Sequence, residues 1–442
     1  MILHKTYTQK LLGDIDHEDG KIYNPKPHCI APFKSITIDP TGEVFPDAVY
    51  QTPVGNLMQQ SLKEIWYGDN WTQLRKDHIN FQQNAGCAYC TKKEKLIGHS
   101  RRRFFDTFFM YRIPKSQLEP VTDATGHNLS LRPKVTDYEH PDFLYLDINT
   151  SNKCNLKCIH CRGAVSTGWI KDEKLLQKSN IAGLRSPRYG AYSLQEGLIE
   201  KIFEFPEYFK NLRYVAFRGG EPTYEQKNKL ILKKLIELGW NKQITIDIST
   251  NATVSDDEFF DLLNQFESTM LYISIEGIGP MYSYARGGNN FAIKDLDHYI
   301  MKYSQLSNCE ICITYTAMSS NVFNIKPTWD WMQQYGDFCN FSFTNTVSQP
   351  QYLSFSVLSD AMRERAYNMI RDIDEEIRWP GREIGRTYEP GINRLKEKLQ
   401  EPADPEWKKH WKEFKDYTIA LDKLRKTNFL EVEPIFGEFW NE

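Results

Sequence analysis

Three cysteines in one short segment are the strongest sign of chemistry in this sequence. Cys154, Cys158 and Cys161 follow the spacing CxxxCxxC. Thiolates at this spacing can each bind one iron of a cubane cluster, which leaves the fourth iron without a protein ligand. An open iron can bind a substrate or cofactor, whereas a cluster held by four cysteines mainly transfers electrons. The alternatives are three loop cysteines without a metal and a zinc site, but zinc sites more often combine CxxC pairs or a CxxC with an HxxxH.

Polar and glycine residues elsewhere are placed where they could act together with these cysteines. Functional groups of a parallel β/α barrel gather beyond the carboxyl ends of its strands. The three cysteines follow the first predicted barrel strand, and Gly219-Gly220-Glu221 follows the second. Two glycines let the backbone approach a ligand closely, and Glu221 can accept hydrogen bonds from an ammonium group. Later strand ends add groups of the kind that hold a ribose and a carboxylate: Ser249, Asn251, Ser274 and Arg286.

The repeating pattern behind these residues predicts the fold. Apolar, β-branched segments alternate with amphipathic stretches such as 228–238 and 256–266, which predicts parallel βαβ units. The six predicted strands are 143–149, 213–217, 244–249, 271–276, 311–317 and 341–346. Six units are too few for a closed eight-stranded barrel, so the predicted fold class is α/β with a partial (β/α)6 barrel. An insertion at 162–192, rich in Lys, Arg, Ser and Gly, is predicted to be a lid or substrate loop.

The regions around the barrel predict three further parts. The N-terminal region has a strand at 35–38 and a helix that begins with a capping box formed by Ser61 and Glu64. The C-terminal region is charged and rich in Trp, as at 374–378 and 406–411, and is predicted to be helical and to pack against the barrel or shape its entrance. The predicted domains are a small α+β domain at 1–105, a linker at 106–141, the barrel at 142–354 and a helical extension at 355–442.

Composition narrows the class of protein. The 442 residues exceed the usual length of a single hydrophobic core, so two or more domains are expected. A net charge of −3 argues against a general nucleic-acid-binding protein, which would usually carry a strong basic excess. We expect a cytoplasmic protein without membrane contact, since no apolar run approaches roughly 20 residues and the first residues lack a signal peptide pattern. Nine cysteines in a reducing compartment then indicate metal ligation or burial.

Residues from about 142 to 350 resemble the core of radical S-adenosylmethionine (SAM) enzymes, because CxxxCxxC and Gly-Gly-Glu-Pro occur together. The resemblance implies a [4Fe-4S] cluster on the three cysteines, with the amino and carboxylate groups of SAM on the open iron. It implies that Glu221 binds the methionine ammonium and that Ser274 and Arg286 contact the SAM carboxylate and ribose. Ser249 and Asn251 match the third-strand contacts, and Gly219 and Gly220 belong to the same motif as Glu221. His160 stands where the family usually has an aromatic residue against the adenine, and an imidazole can also stack there.

The same resemblance implies the reaction. One electron from the reduced cluster cleaves the C5′–S bond of SAM, giving methionine and a 5′-deoxyadenosyl radical that removes a hydrogen atom from the substrate. The cofactor carries out the difficult chemistry, and the protein supplies ligation, orientation and the exclusion of water. A reducing partner such as a flavodoxin or ferredoxin is implied as the electron source. No catalytic side chain is assigned from the sequence.

A second set of cysteines resembles the auxiliary-cluster domain called SPASM, or twitch in its short form. The resemblance rests on Cys29, Gly42, Cys87 and Cys90, with Asp47 where the pattern has a further cysteine. Later cysteines of the pattern are missing, which favours the short form with a single [4Fe-4S] cluster. Family members usually carry this domain after the barrel, and here it comes first. Asp47 is either a fourth ligand of the cluster or a turn residue beside an open iron, and a zinc site or no metal at all is the third interpretation.

The remaining features predict less chemistry. Cys309, Cys312 and Cys339 are predicted to be core residues, and the basic run at 92–103 is predicted to be solvated surface. Auxiliary domains of this kind occur in the family mainly on enzymes that modify ribosomally made peptides or proteins, so a peptide or protein is the leading substrate. One alternative is modification of a nucleotide, an RNA or a small metabolite. A non-catalytic peptide-binding protein built on a degenerate barrel is the alternative of another class.

Overall fold

A computed structural model describes most of the chain. The described residues are 29–80, 82–97, 100–102, 104–105, 118–122, 128–133, 140–179, 190–287, 293–373 and 391–442. They fall into two compact units. Unit 1 comprises Met1–Asn149, Leu194–Ala216 and Trp379–Thr387. Unit 2 comprises Thr150–Ser193, Phe217–Arg378 and Tyr388–Glu442.

Eleven strands occur in the described residues, and six of them match the six predicted barrel strands. In chain order they are β1 Ser35–Ile38, β2 Glu43–Phe45, β3 Gly55–Asn56, β4 Leu118–Thr122, β5 Asn128–Pro133, β6 Tyr145–Ser151, β7 Tyr214–Gly219, β8 Thr245–Thr250, β9 Ser268–Ile275, β10 Cys309–Ala317 and β11 Cys339–Thr346. Strands β6 and β7 each begin in unit 1 and end in unit 2. The predicted alternation of strands and helices from 142 onward is confirmed.

Helices fill the chain between and after these strands. In unit 1 they are Ala31–Lys34, Leu62–Tyr67, Asp69–Ile79, Ala88–Ile97 and Leu198–Ile202. In unit 2 they are Trp169–Leu176, Gln226–Glu237, Asp257–Leu263, Pro280–Arg286, Ile293–Tyr303, Ile325–Met332, Asp360–Ile370, Gly391–Gln400, Trp407–Arg425 and Phe429–Val432. Among the residues that the structure describes, no helix combines the length and apolar character needed to cross a membrane.

Unit 1 is built on a small sheet whose centre is β1. This strand pairs antiparallel with β2 and parallel with β6, and β2 pairs antiparallel with β3. Ile36 and Ile38 of β1 are fully buried. The predicted capping box is present, because the Ser61 hydroxyl accepts from the Glu64 amide while the Glu64 carboxylate accepts from the Ser61 amide. This explains why the predicted helix begins at Leu62.

The segment 106–141, predicted to be a linker, contains an antiparallel pair of strands. Strands β4 and β5 form a two-stranded sheet in which Leu118 lies opposite Pro133. The other residues of the segment lie outside the described residues, except for the last two. The sequence pattern missed this hairpin because it has no clear two-residue alternation of apolar side chains.

Unit 2 carries the open parallel sheet, in the order β7-β8-β9-β10-β11. Its registers place Ile248 beside Leu271 and Ile313 beside Ile273, all fully buried. Residues that alternate with these, such as Ser249, are less buried. One face of the sheet is therefore an apolar core face, whereas the other is polar and accessible. The predicted α/β class with a partial barrel is confirmed.

The C-terminal residues form the predicted helical extension. Its core is an aromatic cluster in which Trp411 stacks on Phe414 with ring centroids 5.3 Å apart. Phe429, Phe436 and Trp440 pack around these two rings. The charged face predicted at 374–378 lies outside the described residues.

Candidate functional site

The CxxxCxxC loop follows the end of β6 and is anchored by the helix Pro280–Arg286. The amide of Lys157 donates to the Arg286 carbonyl oxygen at 3.3 Å, and the amide of Ile159 donates to that of Ala285 at 2.8 Å. Cys158 is buried with 6% of its surface exposed, whereas Cys154 and Cys161 are half-buried. The loop therefore holds one thiol inside the protein and two at its edge.

Side chains from distant parts of unit 2 bind the carbonyl groups of this loop. Four successive carbonyl oxygens accept hydrogen bonds: Leu156 from Ser166 Oγ at 2.5 Å, Lys157 from Arg425 Nη2 at 2.8 Å, Cys158 from Trp169 Nε1 at 2.5 Å and Ile159 from Tyr417 Oη at 2.9 Å. Ser166 and Trp169 belong to the predicted insertion, and Arg425 and Tyr417 to the C-terminal helix Trp407–Arg425. Both regions therefore support the cysteine loop.

The pKa values of the thiols of Cys154, Cys158 and Cys161 are all raised, so a bound cation would stabilise their thiolate forms. Burial raises the pKa of Cys154 to about 12, and the negative charge of Glu221 adds to this shift. Burial also raises the pKa of Cys158, although the Arg286 guanidinium opposes it, and the pKa of Cys161, where charges on the other two thiols contribute. Because the thiolate is the metal-binding form, such sites are stabilised by a bound cation. Three thiols within one loop are a donor set that fits an iron–sulfur cluster.

No group of three or more His, Cys, Asp or Glu in the described residues is placed to hold one metal ion. A cubane does not need such convergence, because each thiolate binds a different iron. The absence of such a group among the described residues therefore does not argue against a cluster on these cysteines.

The Gly-Gly-Glu turn lies directly against the cysteine loop. A Cβ atom on Gly220 would be 2.0 Å from the Lys153 carbonyl oxygen, so only glycine fits there. The Gly220 amide donates to the Ser151 carbonyl oxygen at 2.8 Å, and the Glu221 amide donates to the Lys153 carbonyl oxygen at 2.7 Å. The two strand ends are thus joined through their backbones.

The Glu221 carboxylate is buried, with 3% exposure, and links β7 to β8. It accepts hydrogen bonds from the Thr223 amide and hydroxyl, from Thr250 Oγ1 at 2.6 Å and from the Asn251 amide at 2.7 Å. Burial raises its pKa, and these hydrogen bonds oppose the shift. A carboxylate has about four acceptor positions, so most of its capacity is used inside the protein. The sequence predicted only a contact with an ammonium group.

The end of β8 supplies two of the predicted residues. Asn251 Nδ2 lies 3.8 Å from Cys154 Sγ and 2.9 Å from Asn155 Oδ1, so Asn251 contacts the cysteine loop. Ser249 is exposed on the polar face of the sheet. The structure therefore places Asn251 beside the thiols and leaves Ser249 accessible to a ligand.

The end of β9 forms a buried charge pair that the sequence did not predict. Arg286 Nε lies 2.7 Å from Glu276 Oε2, and both side chains are almost fully buried. Arg286 also contacts Cys158 Sγ at 3.6 Å and donates to the Ser274 carbonyl oxygen. Within the described residues, His160 Nδ1 is buried without a hydrogen-bond partner, and His160 Nε2 is 4.0 Å from Glu276 Oε1. An orphaned buried ring nitrogen fits a site that accommodates a further polar group.

In unit 1, the predicted auxiliary ligands line one cavity of about 640 Å³. Its walls include Cys29, Asp47, Cys87 and Cys90, all four residues singled out from the sequence. The cavity also contains His78, which the sequence analysis missed. His78 Nε2 lies 3.6 Å from Cys87 Sγ, and the histidine is buried, with 2% exposure.

Asp47 is held by a cation within unit 1. Its Oδ1 accepts from Arg101 Nε at 2.9 Å, and the backbone amides of Ala48 and Val49 also bind its carboxylate. Burial raises the pKa of Asp47, and Arg101 opposes the shift. Arg101 Nη2 also bonds to Tyr145 Oη at 2.9 Å. Arg101 therefore compensates part of the charge of Asp47, because its Nη2 also lies 3.4 Å from Oδ2 of the buried Asp147.

The sequence analysis missed several residues that build these sites. Glu276 stands two positions after the predicted Ser274 and could have been found from that spacing at a strand end. His78 lies on the helix Asp69–Ile79, where a histidine on an apolar face is usually a core residue. Arg425 and Tyr417 are more than 250 positions from the loop that they bind. Cys309, Cys312 and Cys339 were all predicted to be core residues. Cys339 is buried, whereas Cys309 and Cys312 are half-buried.

Comparison with known families decides the classification. A family model described as the radical SAM superfamily matches residues 148–296, which include the cysteine loop, the Gly-Gly-Glu turn and Arg286. This part of the chain is a radical SAM domain. A model for an iron–sulfur cluster-binding domain, SPASM, matches residues 29–91. The predicted N-terminal auxiliary domain is thereby confirmed, together with the predicted cofactors, [4Fe-4S] clusters and SAM.

A curated protein that matches this chain is distantly similar to it. Fe-coproporphyrin III synthase of Methanosarcina barkeri is 23% identical over 191 residues, which are 42% of this chain and 40% of the relative. The chain therefore matches less than half the length of this curated relative.

Solved structures are also only distantly similar. Streptococcus suis SuiB bound to S-adenosylmethionine is 17% identical with a TM-score of 0.34, over 53% of this chain and 47% of that one. Native anSMEcpe with bound AdoMet and Cp18Cys peptide is 16% identical with a TM-score of 0.37, over 52% of this chain and 59% of that one. TsrM from Kitasatospora setae, with cobalamin and a [4Fe-4S] cluster bound, is 13% identical with a TM-score of 0.33, over 52% of this chain and 40% of that one.

Proposed function

We propose that this protein cleaves SAM reductively and uses the resulting radical to modify a ribosomally made peptide or protein. The cleavage of SAM is proposed from the contact between two motifs in unit 2, the cysteine loop and the Gly-Gly-Glu turn. The Glu221 amide donates to the Lys153 carbonyl oxygen at 2.7 Å, immediately before Cys154 in the chain. A cluster on the three cysteines and a ligand on the Gly-Gly-Glu turn would therefore be neighbours.

The residues of unit 2 have separate parts in this proposal. Cys154, Cys158 and Cys161 would hold the cluster, and Gly220 allows the turn to approach the loop. Arg286 places a cation beside Cys158, and Ser249 offers an accessible hydroxyl. When bound, the cluster and SAM supply a 5′-deoxyadenosyl radical that abstracts a hydrogen atom from the substrate. The protein's own task is to bind, to orient and to exclude water.

The peptide substrate is proposed from the combination of domains. A SPASM match precedes the radical SAM match in one chain. The resemblance used above associates this combination mainly with the modification of ribosomally made peptides. A cytoplasmic setting with a flavodoxin or ferredoxin as reductant is part of the same proposal, because the thiols and the cluster require a reducing compartment.

The experiment is an anaerobic assay of the reconstituted full chain. We expect about eight irons per chain if both sites hold cubanes, and formation of 5′-deoxyadenosine when SAM and a chemical reductant are added. The matched control replaces Cys154, Cys158 and Cys161 by alanine, which should leave about four irons and no 5′-deoxyadenosine. Wild-type protein that carries the cluster but yields no 5′-deoxyadenosine would contradict the proposed activity.

The substrate is tested separately. Peptides encoded by short reading frames beside the gene are incubated with the loaded protein, and their masses are compared before and after. Loss of a pair of hydrogens would indicate cross-linking or dehydrogenation. If none of these peptides changes in mass or in the chirality of its residues, the peptide proposal is wrong.

A further inference from the structure

The C-terminal helix Trp407–Arg425 binds the cysteine loop at two alternate peptide groups. Arg425 Nη2 donates to the Lys157 carbonyl oxygen at 2.8 Å, and Tyr417 Oη donates to that of Ile159 at 2.9 Å. These carbonyl groups stand immediately before Cys158 and His160 in the chain. The helix therefore fixes the peptide groups that lie between the proposed ligands.

The orientation of the amides follows from this arrangement. In a trans peptide group the N–H points opposite to the C=O. With the carbonyls of Lys157 and Ile159 bonded to the helix, the amides of Cys158 and His160 point away from it. Within the described residues neither of these amides donates a hydrogen bond. By contrast, the amides of Lys157 and Ile159 are used by the helix Pro280–Arg286.

Arg425 is locked in place by charge and by packing. Its Nε lies 3.0 Å from Asp172 Oδ2, and the side chains of both residues are buried, with 6% and 7% exposure. Lys157 Nζ lies 3.1 Å from the same carboxylate oxygen, and the guanidinium lies over the Trp169 ring at 4.7 Å from its centroid. Asp172 thus pairs with two cations, so Arg425 acts on the loop through its positive charge as well as through the hydrogen bond to Lys157.

We propose that Arg425 and Tyr417 are positioning residues that present the amides of Cys158 and His160 as hydrogen-bond donors to the sulfur atoms of the cluster site. Hydrogen bonds to sulfur are among the factors that set the reduction potential of an iron–sulfur cluster. They stabilise the more negative, reduced form, so this arrangement raises the potential. The inference rests on the cluster assignment in the proposed function.

Removing one donor should release its peptide group. Without the Tyr417 hydroxyl, the Ile159 carbonyl is a buried acceptor without a partner, and the peptide group rotates to find another. The amide of His160 then turns with it. A helix that merely covered the loop would lose no such orientation when a single hydroxyl is removed.

The experiment compares Tyr417→Phe and Arg425→Gln with wild type in the anaerobically loaded full chain. The signal of the triad cluster is recognised in the EPR spectrum because the addition of SAM changes it. We expect both variants to bind iron and to have a more negative reduction potential at this cluster. We also expect them to lose the cluster in air about fivefold faster, which is the factor that corresponds to one hydrogen bond of ordinary strength. Arg425→Lys retains a donor and a charge and should restore most of the wild-type behaviour.

Matched controls separate the proposal from general destabilisation. Tyr315→Phe removes an equally buried hydroxyl that donates to the Asn321 carbonyl oxygen at 2.8 Å, without contact with the cysteine loop. It should leave the potential unchanged even if the melting temperature falls. Wild-type potential and cluster lifetime in both Tyr417→Phe and Arg425→Gln would overturn the inference. If wild-type protein binds no iron at the triad, the proposed function fails instead.

Discussion

Gly220 and Lys153 are in such close contact that a single methyl group would separate them. A Cβ atom built on Gly220 would lie 2.0 Å from the Lys153 carbonyl oxygen, well inside any real contact distance. The Glu221 amide donates to the same oxygen at 2.7 Å. The turn after β7 and the loop after β6 therefore form one backbone assembly that positions Cys154.

Replacing Gly220 by alanine should disrupt this assembly. The added methyl group has only backbone to push against, so the cysteine loop must move, at a cost of about 1–3 kcal/mol or more. We expect a lower melting temperature and loss of the triad cluster, about four irons per chain. Gly437→Ala is the matched control, because nothing lies within 4 Å of its Cβ position. Unchanged iron content in Gly220→Ala would show that the two motifs are not coupled.

Glu221→Gln tests the link between β7 and β8. The Glu221 carboxylate accepts hydrogen bonds from Thr223, Thr250 and Asn251. A glutamine has an NH2 group in place of one of the two carboxylate oxygens. This NH2 group cannot accept a hydrogen bond, so it would leave at least one of these donors without an acceptor. We expect the free energy of unfolding to fall by about 1–3 kcal/mol for each donor left without an acceptor. The measurement is denaturant unfolding of the chain without cofactors. Glu237→Gln, at an exposed position, should have little effect, and equal stability of both variants would contradict this role.

His78 should tune the auxiliary cluster. Its Nε2 lies 3.6 Å from Cys87 Sγ, within hydrogen-bond reach of a sulfur acceptor. Loss of a hydrogen bond to a ligand sulfur lowers the reduction potential of a cluster. His78→Ala should therefore shift the potential of the auxiliary cluster to more negative values in an EPR-monitored titration, whereas the exposed His298→Ala should not. His78→Gln, which retains a donor, should recover part of the shift, and an unshifted His78→Ala would exclude the contact.

Asp47 is expected to act through Arg101 and not as an iron ligand. The Arg101 guanidinium and two backbone amides already compensate its carboxylate, which weakens it as a donor to iron. We expect Asp47→Ala to lower the melting temperature and to leave the g-values of the auxiliary cluster unchanged. Arg101→Gln should be similarly destabilised, since it leaves the buried Asp47 carboxylate without its cation. A changed EPR spectrum in Asp47→Ala alone would instead identify Asp47 as the fourth ligand.

Much of this protein could be predicted from local sequence because its signals are local. The spacing of Cys154, Cys158 and Cys161, the glycine pair before Glu221 and the capping box at Ser61 each lie within a few positions. Alternating strand and helix patterns placed the six predicted barrel strands, β6 to β11, to within a few residues. Such patterns work because the periodicity of side chains along a strand or helix is fixed by backbone geometry.

Contacts between distant segments were decided only by the tertiary structure. No spacing could show that Arg425 binds Lys157, that Glu276 pairs with Arg286, or that His78 reaches Cys87. Glu221 was predicted to face a ligand, and the structure shows that most of its acceptor positions are taken by β8. Packing selects these partners, because a buried polar group must find a hydrogen bond wherever the fold brings a donor or acceptor close. The sequence by itself thus determined which atoms can hold a cluster, and the tertiary structure decided which neighbours position and tune them.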